Sequence, residues 1–275
     1  MKENDLLRDV TVAICTLNEE SNIGDCVLNL KQGFDGKILV VDGNSDDKTV
    51  SIAENMGCQV VITKTRNISH QRNVAVRNCE TDIICFFDAD DRPGSKCISQ
   101  MLKDLKNNQA TGVMAISESF ENKTYFQRAM DAACNSPKMI SGPTIMVGQP
   151  SMYIRNIVQD IEYDETFTCH EDTFISRSII KAGGSLYVSS AINLRIHDSK
   201  FKDYYKKIKR YGIGDAMFVK KFPERYKSIL FHLLINYPIK KSWYLLKNYK
   251  VQYIPFVLLM GFGRFYFMSK YLLTK

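Results

Sequence analysis

Four short runs of β-branched and aromatic residues, each followed by a helix-spaced segment, leave the first hundred residues few folds to choose from. The runs are 10–15 (VTVAIC), 37–41 (KILVV), 59–63 (QVVIT) and 82–87 (DIICFF). After the first, Ser21 or Asn22 can cap a helix on which Ile23, Val27 and Leu30 recur. Val50, Ala53 and Met56 predict a second helix, closed by Gly57, and residues 69–78 predict a third. Strands that alternate with helices in this way pair in parallel, with helices on both faces, and read as continuous apolar runs. An α/β fold with a mainly parallel sheet follows.

Ligands of an open parallel sheet sit just beyond the carboxyl ends of its strands. Three polar clusters occupy those ends here: Thr16-Leu17-Asn18-Glu19, Asp42-Gly43-Asn44-Ser45-Asp46, and Asp88-Ala89-Asp90-Asp91. The spacing therefore predicts a site assembled from all three.

Beyond Met101 the pattern changes. Residues 111–117, 142–147 and 186–196 read as strands, and Tyr125–Cys134 and 171–183 as helices. From Phe201 onward the chain reads as helical, with aromatic and basic residues interleaved. The expected organisation is a catalytic domain over 1–199, its halves meeting near residue 110, and a helical basic region over 200–275.

The sharpest chemical signal is Asp88-Ala89-Asp90. Two carboxylates two residues apart, just past a buried strand, can grip a divalent cation or a cation and a ribose. Hard oxygen ligands suit Mg²⁺ or Mn²⁺, which also bind diphosphate oxygens and act as Lewis acids. An acidic loop with no metal is the plain alternative. Asp42 could accept hydrogen bonds from a nucleobase or ribose, or simply form an Asp-Gly turn. Residues 16–19 could cradle a nucleotide or cap a helix. Glu171-Asp172 opens a helix, where the helix dipole favours carboxylates, but either could also be a general base. His197 could be a hydrogen-bonded structural residue or a metal ligand.

Taken in order, VAICTLNEESNI, ILVVDGNSDDKT, ISHQRNVAVRN, IICFFDADD, HEDTFISRSIIKAGG and RIHDSKFKDYYKKIKRYG resemble the family-two glycosyltransferases of GT-A fold, over roughly residues 10–214. The resemblance implies transfer of a sugar from a nucleotide diphosphate sugar, UDP- or GDP-linked, with inversion at the anomeric carbon. It implies that Thr16, Leu17, Asn18, Glu19, Asp42 and Asn44 face the nucleotide and that Arg72 and Asn73 lie near the diphosphate or sugar. Asp88, Ala89 and Asp90 match the D-x-D motif, with Asp90 the expected metal contact and His197 a further ligand in some relatives. Asp172 matches the catalytic base, and Glu171 supports the acceptor. Two departures stand out. Gly43 replaces a second Asp that helps read the base in many relatives, leaving UDP and GDP both open, and Cys15 replaces a frequent Pro or Thr. The resemblance to dolichyl-phosphate sugar synthases is partial, because Asp91-Arg92-Pro93 differs after the D-x-D.

Cysteine usage and charge bound the setting. Eight cysteines show no C-x-x-C pair, and the polar start over 1–9 leads directly into a strand, so reduced thiols in the cytoplasm are expected. Clustered Cys and His for zinc are absent. Residues 200–275 carry 17 Lys and Arg against Asp203, Asp215 and Glu224, a net +14 in a chain of net +7. The short apolar run 251–263, broken by Pro255, and the run 228–239 are flanked by Lys and aromatic residues. That pattern suits peripheral attachment to an anionic membrane at its inner face, and a glycan or lipid-linked acceptor. A basic face in water, packing on the catalytic domain, or a dimer contact fits the same residues.

Among rivals, a nucleic-acid-binding protein lacks any recognised motif, and nucleic acid is not expected as a partner. A nucleotidyltransferase would carry a Gly-rich basic loop where Thr16–Glu20 stands. A dinucleotide oxidoreductase would need G-x-G-x-x-G after a strand.

Overall fold

The computed structural model describes residues 7–121, 123–135 and 137–274; residues 1–6 of the polar start and the flanking Lys275 lie outside them. The described chain divides into two compact units, Met1–Glu118 with Ile140–Ile196, and Ser119–Met139 with His197–Lys275.

In the first unit, β1 (Val10–Thr16), β2 (Lys37–Asp42), β3 (Gln59–Ile62) and β4 (Ile83–Phe87) form the predicted parallel core, in the order β3-β2-β1-β4. The register sets Thr16 beside Asp42 and Ile14 beside Phe87, so the three polar clusters leave the sheet on one side. Alternation along the strands divides the core in two. Val12, Ile14, Val40, Cys85 and Phe87 face α1 (Ile23–Lys31) and α4 (Cys97–Asn107), meeting Ile23, Val27, Met101 and Leu105. Ala13, Leu39, Val41, Ile84 and Phe86 face α3 (Ile68–Asn78) and α7 (Glu171–Lys181), meeting Val76, Ile175 and Ile179. Both faces are covered, which is why these strands are apolar throughout. A shorter helix, α2 (Thr49–Asn55), follows β2, and Gly57 ends its turn at φ +74, a left-handed conformation that glycine adopts without a Cβ penalty.

Beyond β4 the sheet becomes mixed, running on through β8 (Ser151–Ile154), β6 (Gly112–Ser119), β9 (Leu186–Arg195) and β5 (Asp91–Pro93), with β7 (Gly142–Thr144) on β9. β8 is antiparallel to β4, and both β5 and β7 are antiparallel to β9. The strand expected over 142–147 is thus only three residues long. The sequence reading missed β5, β8, α4 and α6 (Arg155–Ile161). The two strands have four residues or fewer, too short to show a period, and β5 contains the charged Asp91 and Arg92.

The second unit is helical. α5 (Tyr125–Cys134) starts with a reciprocal capping box between Thr124 and Gln127. α8 (Phe201–Lys221) is followed by α9 (Tyr226–Phe231), a wider-turned π segment (His232–Lys240), α10 (Lys241–Lys247) and α11 (Ile254–Thr274). Ala129, Tyr204, Ile208, Phe256 and Met260 form one of its cores. Asp215 and Arg264 join α8 to α11 through two hydrogen bonds of 3.0 and 2.9 Å. One expectation is corrected here. Pro255 does not break the last apolar run; it sits in the first turn of α11, where a missing N–H costs nothing. The helix runs on past Arg264 to Thr274, 21 residues in all, and among the described residues Val251–Thr274 is long and apolar enough to cross a membrane by length and composition.

Candidate active site

The corner between β1 and β2 is built around Asp42, which is fully buried. Its Oδ2 accepts from Thr16 Oγ1 (2.8 Å) and Ser45 Oγ (2.6 Å), and its Oδ1 accepts from the Ser45 amide (2.7 Å). Asp42 therefore spends most of its acceptor capacity on the protein, holding the 42–46 turn in shape. The two loops are laced together. The Asn18 amide donates to Ser45 Oγ, the Asp46 amide donates to Asn18 Oδ1, and the Glu19 amide donates to Thr49 Oγ1, each at 2.8 Å. Asn18 and Asn44 take left-handed φ values of 57° and 64°, which asparagine tolerates well. From α3, Gln71 Nε2 donates to the carbonyls of Thr16 and Val41, both at 2.8 Å. Leu17 is exposed at the rim of the corner.

Directly after β4, the aspartates form a second group. Among the described residues, Asp88, Asp90 and Asp91 place carboxylate oxygens within 4.8 Å of one another. Asp91 is fully buried. Its Oδ1 accepts from Asn193 Nδ2 (2.7 Å) and Arg195 Nε (2.8 Å), and its Oδ2 accepts from the Asp88 amide (2.8 Å). Burial pushes the Asp91 carboxyl above its usual range; Arg195 opposes that and Asp88 adds to it. Arg195 also reaches Asp88 Oδ2 at 3.1 Å and lies 3.7 Å from Asp90 Oδ1. One guanidinium thus serves three carboxylates, and the part-exposed pair Asp88 and Asp90 keeps an excess of negative charge. That donor set fits a hard divalent cation, with Asp88 and Asp90 able to hold it and Asp91 and Arg195 orienting them.

The third group joins α3 to α7. Arg72, almost fully buried, donates from Nη1 to Asp172 Oδ1 and forms an ion pair with Glu171, Nη1 to Oε1 2.9 Å. Its guanidinium lies 5.5 Å from the centroid of the Tyr163 ring and 5.8 Å from that of Phe86. Gln149 Nε2 donates to Asp172 Oδ1 at 3.2 Å. Burial raises the Asp172 carboxyl from 3.8 to about 6; Arg72 pulls it down, while Glu171 and Asp88 push it up. The Asp88 contribution means that the metal-type group and the Asp172 group sense each other's charge. Asp172 thus combines a near-neutral pKa with a side chain still 26% exposed, a combination suited to taking a proton.

The structure gathers Thr16, Asn18, Glu19, Asp42 and Asn44 into one corner, and Asp88, Asp90, Asp172, Glu171 and Arg72 into a charged row at the same end of the sheet. Ala89 is buried beneath that row. The Asn73 amide binds the main chain of Tyr163 at 2.8 and 2.7 Å and Glu165 Oε1 at 3.0 Å, tying α3 to the loop after α6. His197 opens the second unit, where its carbonyl accepts from Gln127 Nε2 at 3.1 Å. Ser45 lay in the second polar cluster, but sequence reasoning gave no role to Gln71, Gln149, Asn193 or Arg195. Gln71 and Arg195 stood inside quoted motifs, and Arg195 was also a lone charge near the end of an apolar strand.

A family model described as glycosyl transferase family 2 matches residues 11–184. The chain belongs to that family. An uncharacterized glycosyltransferase of Rickettsia bellii is 35% identical over 86 residues, 31% of this chain and 29% of the relative. The family-2 chain thus spans less than a third of the length of this relative. A dolichyl-phosphate hexose transferase of Haloferax volcanii is 28% identical over 164 residues, 57% of this chain and 71% of the relative. In fold, this family-2 chain is similar to a mannosyltransferase from Pyrobaculum calidifontis solved in complex with GDP-Man and Mn²⁺. The TM-score is 0.63 at 17% identity, covering 96% of this chain and 85% of the other. That likeness establishes the GT-A fold.

Proposed function

We propose that this family-2 chain transfers a sugar from a nucleotide diphosphate sugar to a lipid-linked or cell-envelope acceptor at the cytoplasmic face of a membrane, inverting the anomeric configuration. The observation that carries the reading is the row of Asp88, Asp90 and Asp172 beside a laced loop corner at the carboxyl ends of β1, β2 and β4.

In this reading the nucleoside lies against the corner of residues 16–19 and 42–46. A Mg²⁺ or Mn²⁺ ion at Asp88 and Asp90 would neutralise charge on the departing nucleoside diphosphate. Asp172 accepts the proton of the acceptor hydroxyl as its oxygen attacks the anomeric carbon opposite the breaking bond, which inverts the configuration. Glu171 and Arg72 hold Asp172 in place, and Arg72 keeps the paired carboxylates from repelling each other.

A second acceptor class has its own support, because the Haloferax relative is named a dolichyl-phosphate hexose transferase. A phosphate acceptor is already ionised at neutral pH and needs no base, so the two acceptors differ in their demand on Asp172.

The test is a thermal-shift panel of UDP, GDP, CDP and dTDP, each with and without Mn²⁺. A ligand that binds only the folded protein raises its melting temperature by mass action. One nucleotide is expected to stabilise the protein, with metal enhancing the shift, and Asp90→Ala is expected to remove the enhancement. A panel with no shift, or full metal coupling retained in Asp90→Ala, would refute the reading.

A further inference from the structure

The second unit carries an apolar stripe that the transfer chemistry does not use. Along the continuous helical run from α9 through the π segment to α10, Phe231, Ile235, Ile239, Trp243 and Leu246 recur every three or four residues. All five are 38% to 57% exposed. Successive steps of four drift around a regular α-helix, and the wider turns of His232–Lys240 offset part of that drift. The inner side of the same run is spent: Leu233 packs with Met268, and Leu245 packs with Val257.

Charge identifies what would cover this stripe. Residues 225–275 contain nine Lys and Arg and no Asp or Glu. On the stripe itself, Lys240 Nζ lies 5.0 Å from the Phe231 ring centroid and Lys247 Nζ 3.8 Å from that of Trp243. A second copy of the chain would bring the same positive charge against it, which like-charge repulsion opposes. A bilayer surface rich in anionic headgroups meets both features at once: acyl boundary for the aromatic and aliphatic side chains, and phosphates for the lysines.

We propose that the outer face of α9, the π segment and α10 is a docking surface for an anionic lipid bilayer, with Trp243 inserted to the depth of the headgroups and upper acyl chains. This surface belongs to the second unit, and its test is independent of the transfer reaction.

Trp243 is the sole tryptophan of the chain, so its fluorescence reports this face alone. The full-length protein is mixed with vesicles of phosphatidylcholine, or of phosphatidylcholine and phosphatidylglycerol in equal parts, with sedimentation followed in parallel. Anionic vesicles should shift the emission to the blue, and lipids brominated near the headgroup should quench it, consistent with insertion of about 5–10 Å. The double variant Lys240→Gln, Lys247→Gln should bind about thirty-fold more weakly, at roughly fivefold per basic residue. Ile239→Ser with Leu246→Ser should lose the blue shift while the melting temperature stays unchanged, since both positions face solvent. Failure to sediment, equal binding to neutral vesicles, or sedimentation with unshifted Trp243 emission would each overturn the proposal. So would a concentration-dependent dimer that Leu246→Ser dissociates.

Discussion

Replacing Asp172 with asparagine should make the protein more stable and far less active, and the two effects come from one electrostatic cause. Burial holds the Asp172 carboxyl at about 6 against an ordinary value of 3.8, even with Arg72 beside it. Because the folded value is raised, the stability this group contributes is complete below about pH 4. It is lost as the pH rises through about 6, and the folded protein carries the cost of ionisation at neutral pH. A shift of about two units corresponds to about 3 kcal/mol, and the 26% exposure of the side chain reduces this to about 1–3 kcal/mol. Asparagine carries no charge, still accepts from Arg72, and leaves that guanidinium its Glu171 partner. Asp172→Asn should therefore melt several degrees above wild type at pH 8, at about 2–4 °C per kcal/mol, with the gain vanishing near pH 4. Turnover onto a hydroxyl acceptor should fall by about 10²–10⁴ with donor affinity kept, and the acid limb of the wild-type rate should follow an apparent pKa near 6. Paired melting curves and pH–rate profiles read both effects. A variant that gains no stability at pH 8 relative to pH 4 would refute the burial argument. Turnover within tenfold of wild type would show that Asp172 is not the base, and would shift the acceptor towards a phosphate.

Two further perturbations probe the supports of the site and of the helical unit. Arg195→Met strands the buried Asp91, with a cost of about 3–5 kcal/mol in a denaturant melt, and should weaken Mn²⁺-dependent nucleotide binding as Asp88 and Asp90 lose their anchor. An unchanged metal requirement would show that Arg195 does not orient the pair. Gly212 lies against α11, where an added Cβ would stand 2.5 Å from the Arg264 carbonyl oxygen, so Gly212→Ala should cost about 1–3 kcal/mol. A neutral melt would mean that α8 and α11 separate easily.

The parallel core was legible because its strands are buried on both faces and its helices repeat at helical spacing; β1, β2 and β4 fall within a residue or two of the expected bounds. Tyr125–Cys134 matched the expected helix end to end, since its cap and its alanines are local signals. β5 and β8 were illegible because a strand of three or four residues is selected by its partners. The extent of α11 was misjudged for the opposite reason: a proline reads as a breaker unless its position in the turn is known.

Residues and their order along the chain were enough to establish an α/β sheet, to put acidic and polar clusters at its strand ends, and, through the family resemblance, to name Asp88, Asp90 and Asp172 as candidates for the chemistry. Those are local properties of short segments. What Asp42 is bonded to, that Arg72 pairs with the Glu171-Asp172 pair rather than being held for a diphosphate alone, and that Arg195 anchors three aspartates only tertiary structure could decide. The two arginine contacts join groups 100 and 107 positions apart, and nothing in the intervening sequence encodes which buried charge will meet which counter-charge. The same holds for the exposed stripe from Phe231 to Leu246. Its side chains are as apolar as their buried neighbours, and only the packing of the inner face shows which ones are left for a partner.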